Sequence, residues 1–154
     1  NTFLKATGKN IGKSLCEDSL VSTAKDLMGK MEMRNASIPI AVDVVVGRKF
    51  DPNETAILKN SDTVSDEEMI FDIGPKSAQE LAIIIMNAGT VVWNGPVGVF
   101  EFDQFGSGTK TIAPAIANTK AFTLAGGGYT IAAIQKYDIY EIISYISTAV
   151  VAFL

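Results

Sequence analysis

The stretch "TLAGGGYTIAAI", residues 123–134, decides the fold of this chain. An apolar run typical of a β-strand leads into three consecutive glycines, and residues with the apolar spacing of a helix follow them. In this layout the glycines let a phosphate approach backbone amides, and the positive end of the helix attracts it. Tyr129 follows the glycines directly, where a small or acidic residue is expected.

Strand and helix signals alternate on both sides of this stretch. Polar, turn-rich residues 51–71 predict a loop or a small excursion, and Pro114 interrupts an otherwise helical pattern at a cost of roughly 3 kcal/mol. Helices are predicted in residues 1–31 (a short one, then a longer one), 72–89, 108–119 and about 130–137. Strands are predicted in residues 38–50, 90–102, 120–127 and 142–148.

This alternation predicts an α/β fold, Rossmann-like, with a mainly parallel sheet of about four strands and flanking helices. The strand in residues 38–50, "IPIAVDVVVGRKF", has the continuous β-branched character of a strand buried on both faces. With 154 residues the chain is long enough for one domain, so we expect a single domain over residues 1–154. Ligands of such folds bind at the carboxyl ends of the strands.

Composition excludes several classes of function. The net charge of -4 and the absence of a Lys/Arg cluster argue against nucleic-acid binding. Without any histidine, the chain lacks the usual catalytic triads and histidine zinc sites, and its one cysteine, Cys16, forms no internal disulfide. No apolar run reaches the roughly 18 residues of a membrane span, so we expect no membrane partner and a cytoplasmic location.

Three loops fall at the predicted carboxyl ends: "WNGPVGVFEF", "AGGGYT" and, after the last strand, "STAVVA". The first two carry candidate binding groups. The first, "WNGPVGVFEF", offers Gly95 and Gly98 for a sharp backbone path, with Asn94 and Glu101 as polar groups. The second offers three amides for an anion at Gly126, Gly127 and Gly128. From its glycine and proline content, the first loop is equally consistent with a plain structural turn. For the glycine triplet such a turn is at least as consistent, because the triplet matches neither the dinucleotide fingerprint nor the P-loop. No carboxylate stands out as catalytic.

Taken together, the motifs resemble the phosphoglycerate kinase family, specifically its C-terminal, nucleotide-binding domain. The matching words follow the family's order over nearly the whole chain: "NTFLKATGKNIGKSL", "VDVVVGRKFDPN", "DIGPKSAQEL", "TVVWNGPVGVFEFDQFGSGT", "AGGGYTIAAI" and "ISYIST". The resemblance implies phosphoryl transfer between 1,3-bisphosphoglycerate and ADP, with ADP or ATP and Mg²⁺ as the family's ligands.

The resemblance also implies roles for single residues. Asn94 and Glu101 would meet the ribose and neighbouring groups of the nucleotide. Gly95, Val97 and Gly98 would shape the adenine side, with Phe50 as a further candidate there. The phosphates would face Gly126, Gly127, Gly128 and Thr130.

Two departures from the family pattern predict an inactive chain. Tyr129 replaces the aspartate that serves the metal in the family, so no metal site is assigned, and Mg²⁺ is not expected to bind. The family's last glycine loop, "STGGGA", here reads "STAVVA", which places Ala149, Val150 and Val151 at glycine positions. β-Branched side chains would fill the space that glycines leave open.

Relative to the family, the chain lacks the N-terminal domain and the first two strands of the C-terminal domain, which lie in the middle of the family's sheet. We therefore expect a fragment with no catalytic residue of its own, whose strands rearrange, associate with another copy, or bind a complementary fragment. Two alternatives stay open. Nucleotide binds weakly without Mg²⁺, or the chain is an engineered or rearranged structural fragment that binds none.

Overall fold

The computed structural model describes residues 1–147, which contain five α-helices and six β-strands. The chain divides into two compact units, Asn1–Ser77 and Ala78–Leu154. No helix within the described residues is long and apolar enough to cross a membrane.

The first unit begins with the two predicted helices, α1 (Thr2–Ala6) and α2 (Val21–Glu32). Three strands follow: β1 (Asp43–Gly47), β2 (Ile57–Asn60) and β3 (Met69–Ile73). Their order is β2-β1-β3, and both pairings are antiparallel. Val44 and Val46 of the central strand are fully buried, and they join Leu4, Ile11 and Val64 in a small apolar core.

The sequence prediction was right about the burial of β1 and wrong about its neighbours. The segment 51–71 supplies β2 and the first three residues of β3, so β1 belongs to an antiparallel sheet. Strand β2, "ILKN", is largely exposed and carries two polar residues. Its residues therefore lack the apolar pattern by which a strand is recognised in sequence.

The second unit has the predicted α/β fold with a parallel sheet. Strands β4 (Thr90–Trp93), β5 (Phe122–Gly126) and β6 (Tyr145–Ser147) pair in the order β4-β5-β6. Both pairings are parallel. Helices α3 (Pro75–Met86, which starts at the end of the first unit), α4 (Ser107–Asn118) and α5 (Gly128–Lys136) alternate with them.

All three of these helices contribute to one apolar core in the second unit. Ile85 comes from α3, Ile112 and Ile116 from α4, and Ile134 from α5, and they pack with Trp93 of β4. Burial of such side chains contributes about 1.5–3 kcal/mol each, so the core holds the ends of β4 and β5 in place.

Pro114 lies inside α4, and the helix continues through it. Proline has no amide hydrogen for the carbonyl of Lys110, four residues earlier, so one helical hydrogen bond is lost. The residues on both sides, Ala113 and Ala115, are buried in the core. Packing of these neighbours therefore outweighs the lost hydrogen bond.

Candidate functional site

The candidate site lies at the carboxyl edge of the parallel sheet, where β4 and β5 are neighbours. The loops that follow Trp93 and Gly126 therefore emerge side by side, as the alternation of strands and helices predicted. The third predicted loop, with Ala149, Val150 and Val151, lies outside the described residues.

The loop after β4 is fixed at Gly95. Its amide donates a hydrogen bond of 2.7 Å to Thr130 Oγ1, and its carbonyl accepts one of 2.8 Å from Trp93 Nε1. Gly95 has a φ of +113°, a conformation that residues with a side chain rarely adopt. Glycine at this position lets the chain turn sharply from the sheet toward the neighbouring loop.

The loop after β5 is fixed at Gly127, which has a φ of +90° and caps the start of α5. A Cβ built on Gly127 would lie 3.4 Å from Asn94 Oδ1 and 3.7 Å from Thr130 Oγ1. The two loops are therefore close enough to contact one ligand. Around Gly128, apart from its chain neighbours and the backbone of its own helix, no described atom comes within 4 Å of such a Cβ, which leaves open space beside the first turn of α5.

Thr130 joins the two loops. Its side chain is 1% exposed, and its hydroxyl oxygen accepts the hydrogen of the Gly95 amide. A hydroxyl group has one hydrogen to donate and two lone pairs, so accepting this bond does not use its own hydrogen. Sequence reasoning placed Thr130 at the phosphates, but its link to Gly95 was not predicted.

Tyr129 lies on the first turn of α5 and is 70% exposed. Its side chain ends in a phenol, so this position supplies no carboxylate beside the glycine loop. Within residues 1–147 there is no group of three or more His, Cys, Asp or Glu side chains arranged to hold a metal ion.

The remaining candidates of the second unit lie along the path from β4 to α4. The Val97 amide donates to Thr109 Oγ1 at 3.2 Å, and Gly98 accepts a hydrogen bond of 2.9 Å from the Phe100 amide. Glu101 and Asn94 are exposed. Of these two side chains, Asn94 lies beside the glycine loop, with its Oδ1 3.4 Å from the position of a Cβ on Gly127.

Phe50 belongs to the first unit. Its exposed ring packs edge to face against Phe71, with the ring centroids 5.9 Å apart. A role of Phe50 in nucleotide binding stays a prediction.

Sequence reasoning missed Lys136, the last residue of α5. Its ammonium group donates to the Phe100 carbonyl at 2.7 Å and to Asp103 Oδ1 at 2.8 Å. The hydrogen bond from Lys136, reinforced by its charge, lowers the pKa of Asp103. A lysine in the last turn of a helix is ordinarily read as a surface residue that favours the helix dipole, so the sequence carried no distinct signal.

Two comparisons identify relatives of this chain. The family model for phosphoglycerate kinase matches residues 1–154. A solved phosphoglycerate kinase from Coxiella burnetii is 44% identical, with a TM-score of 0.93 over 96% of this chain. A second one, from Pyrococcus horikoshii OT3, is 32% identical, with a TM-score of 0.79 over 97% of this chain. The chain spans 38% of the length of each of these two relatives.

Proposed function

The chain belongs to the phosphoglycerate kinase family, and from that premise we propose that it is a nucleotide-binding portion of such a kinase. It binds ADP or ATP through the loops after β4 and β5, without dependence on Mg²⁺. It does not by itself catalyse phosphoryl transfer between 1,3-bisphosphoglycerate and ADP. We further propose that it folds as a single domain, which resembles the family's C-terminal domain without its first two strands, and acts in the cytoplasm.

One observation carries the nucleotide proposal: the hydrogen bond of 2.7 Å from the Gly95 amide to Thr130 Oγ1. It joins the two glycine loops that would hold opposite parts of one nucleotide. The phosphates would lie over Gly126, Gly127 and Gly128, because the first amides of a helix have no partner within the helix and the positive end of α5 favours an anion there.

The sugar and base would extend from this point toward the loop after β4. Asn94 and Glu101 offer exposed acceptors to ribose hydroxyls, and Asn94 also offers an amide donor. Gly95, Val97 and Gly98 would line the adenine side, where the half-buried Val97 packs against the core of the second unit. The flat face of the adenine ring would be partly shielded from water by this apolar surface.

The proposed loss of Mg²⁺ dependence rests on Tyr129. Mg²⁺ prefers hard oxygen ligands, and a carboxylate supplies both the charge and the geometry that a neutral phenol lacks. Phosphoryl transfer depends on positioning and on neutralising the charge of the phosphates. A nucleotide bound without its metal is therefore unreactive, whichever protein segments surround it.

Calorimetric titration with ADP, with and without Mg²⁺, tests the proposal. Binding of the same strength in both conditions supports it, and tight binding only with Mg²⁺ would contradict the role given to Tyr129. The variant Tyr129→Asp should bind ADP more tightly when Mg²⁺ is present. Tyr140→Asp is the matched control, because it adds the same carboxylate at another exposed tyrosine of the second unit.

The structural alternative, a fragment that associates and binds no nucleotide, is favoured by one observation. Among the described residues, β4 pairs with β5 alone, and Val92 on this edge strand is exposed. An unpaired strand edge favours association with another copy or a complementary fragment. Light scattering at rising protein concentration separates the two: a monomer that binds ADP supports the nucleotide proposal, and an oligomer without ADP binding supports the alternative.

A further inference from the structure

A single ammonium group holds both sides of the turn that carries Glu101. Lys136 Nζ donates to the carbonyl of Phe100, the residue before Glu101, at 2.7 Å. It also donates to Asp103 Oδ1, two residues after Glu101, at 2.8 Å. Glu101 itself remains exposed between these two anchored positions.

The aromatic ring of Phe100 reinforces the hydrogen bond between Lys136 and the Phe100 carbonyl. Phe100 is buried, and the Lys136 ammonium lies 5.8 Å from the centre of its ring, within the range of a cation–π attraction. The Lys136 side chain is only about one third exposed. Its hydrogen bond to the carbonyl of the buried Phe100 is therefore better shielded from water than that of a lysine on the open surface, whereas Asp103 is 95% exposed.

A second contact from the same helix end supports the following segment. The Tyr137 hydroxyl, one residue after Lys136, donates to the Gly106 carbonyl at 3.2 Å. The end of α5 thus fixes the chain from Phe100 to Gly106.

The other end of α5 forms the glycine loop. Gly127 caps the helix, and Lys136 is the last of its nine residues. At 1.5 Å per residue this is a rigid rod of about 13 Å. The position of Glu101 is therefore tied to the glycine loop through one helix.

We propose that Lys136 is a positioning residue for nucleotide binding, which holds Glu101 at a fixed place relative to the glycine loop. The inference rests on the proposed function, because it assumes that Glu101 accepts hydrogen bonds from the ribose while the phosphates occupy the glycine loop. Lys136 itself touches no part of the nucleotide.

The test compares ADP with its dideoxyribose analogue, which lacks the hydroxyls that Glu101 would bind. In the parent protein, ADP should bind about tenfold more tightly than the analogue, as expected for a hydrogen bond to a carboxylate. Lys136→Met keeps the apolar stem over Phe100 and removes the ammonium group. It should weaken ADP binding about fivefold and leave the analogue nearly unchanged.

The matched control is Lys110→Met. Lys110 and Lys136 line the same cavity of about 430 Å³ and both attract Asp103, but no hydrogen bond from the Lys110 ammonium is found within the described residues. This control should keep the tenfold preference for ADP. Glu101→Gln should reduce that preference without altering the backbone.

The outcomes separate the two proposals. Equal weakening of ADP and analogue by Lys136→Met would overturn the positioning role and leave nucleotide binding intact. No ADP binding by the parent protein would overturn both. Hydrogen exchange without nucleotide adds an independent readout: faster exchange of the Phe102 and Phe105 amides in Lys136→Met supports the anchoring of the turn, and unchanged exchange contradicts it.

Discussion

The two units differ in what stabilises them: ion pairs are more prominent in the first unit, and apolar burial is more prominent in the second. The first unit has a small core and several ion pairs, among them Lys5 with Asp18, Lys9 with Asp62 and Lys59 with Glu68. In the second unit a larger core draws on every helix, and within its described residues the ion pair is Lys136 with Asp103. Loops that bind ligands are positioned by a rigid scaffold, and the second unit supplies one mainly from apolar side chains.

The largest effect on stability is expected from shortening a core side chain of the second unit. Ile134 is 0% exposed, so Ile134→Ala should lower the free energy of unfolding by about 3–4 kcal/mol. Fluorescence of Trp93, the single tryptophan of the chain, reports this unit during urea unfolding. Ile142→Ala removes the same atoms at a position that is 55% exposed and should stay within about 0.5 kcal/mol. Similar losses in both variants would contradict a core-dominated unit.

In the first unit, the largest effect should come from an ion pair. Glu68 is buried and accepts hydrogen bonds from Lys59 at 2.9 and 3.0 Å. Lys59→Met leaves this carboxylate without its cation, which should cost about 2–3 kcal/mol. Lys13→Met is the control, because its partner Glu67 is exposed. Circular dichroism during urea unfolding measures both, and an equal cost would show that burial of Glu68 is unimportant.

The same pair predicts a pH dependence. The hydrogen bond from Lys59, together with the Ser65 amide, lowers the pKa of Glu68. A lowered pKa means that this carboxylate stabilises the fold above its unfolded pKa of about 4.3, and that the stabilisation is lost as the pH falls through the folded value. Unfolding of the parent should therefore become easier in this acid range, and Lys59→Met should reduce that dependence. A parallel shift of both proteins would contradict the assignment.

Pro114 offers a way to strengthen the second unit. Alanine restores the amide that the Lys110 carbonyl lacks, which is worth roughly 3 kcal/mol, while the unfolded chain gains freedom worth about 1 kcal/mol. Because Pro114 is exposed, Pro114→Ala should raise the free energy of unfolding by about 2 kcal/mol net. Urea unfolding followed by Trp93 fluorescence should show this as a midpoint at a higher urea concentration. A destabilised variant would mean that the helix depends on the ring of the proline.

The smallest effect is expected at the link between the loops. Thr130→Val keeps the shape of the side chain and removes the acceptor of the Gly95 amide, at a cost of about 1 kcal/mol. Faster hydrogen exchange at Gly95 and weaker ADP binding should accompany it. Thr130→Ser retains the hydroxyl and should behave like the parent. If both variants bind ADP alike, the link between the loops does not support nucleotide binding.

Local signals in the sequence predicted most of the second unit. Pro75 marks the start of α3, the three glycines mark the turn from β5 into α5, and the apolar runs identify β4 and β5. These signals act within a few residues of each other, so they can be read without knowing the fold.

Features that depend on contacts between residues far apart in the sequence could not be predicted. One antiparallel neighbour of β1, the exposed strand β2, carries polar residues, and the choice of strand partner is decided by tertiary packing. In the site, the glycine loops were predicted, but their link joins residues 35 positions apart. The turn anchored by Lys136 spans a similar distance, 36 positions from Phe100. Such contacts leave no periodic trace in the sequence.

The hydrogen bond to Thr130 also bears on how the protein ages in storage. Asn94 and Gly95 form an Asn-Gly pair, in which the glycine nitrogen attacks the preceding side-chain amide, expels ammonia and forms a succinimide. Here that nitrogen is held at 2.7 Å by Thr130 Oγ1, and the backbone around it is fixed by Trp93. We expect Asn94 to deamidate slowly in the folded protein and faster in Thr130→Val, which mass spectrometry of stored samples would detect.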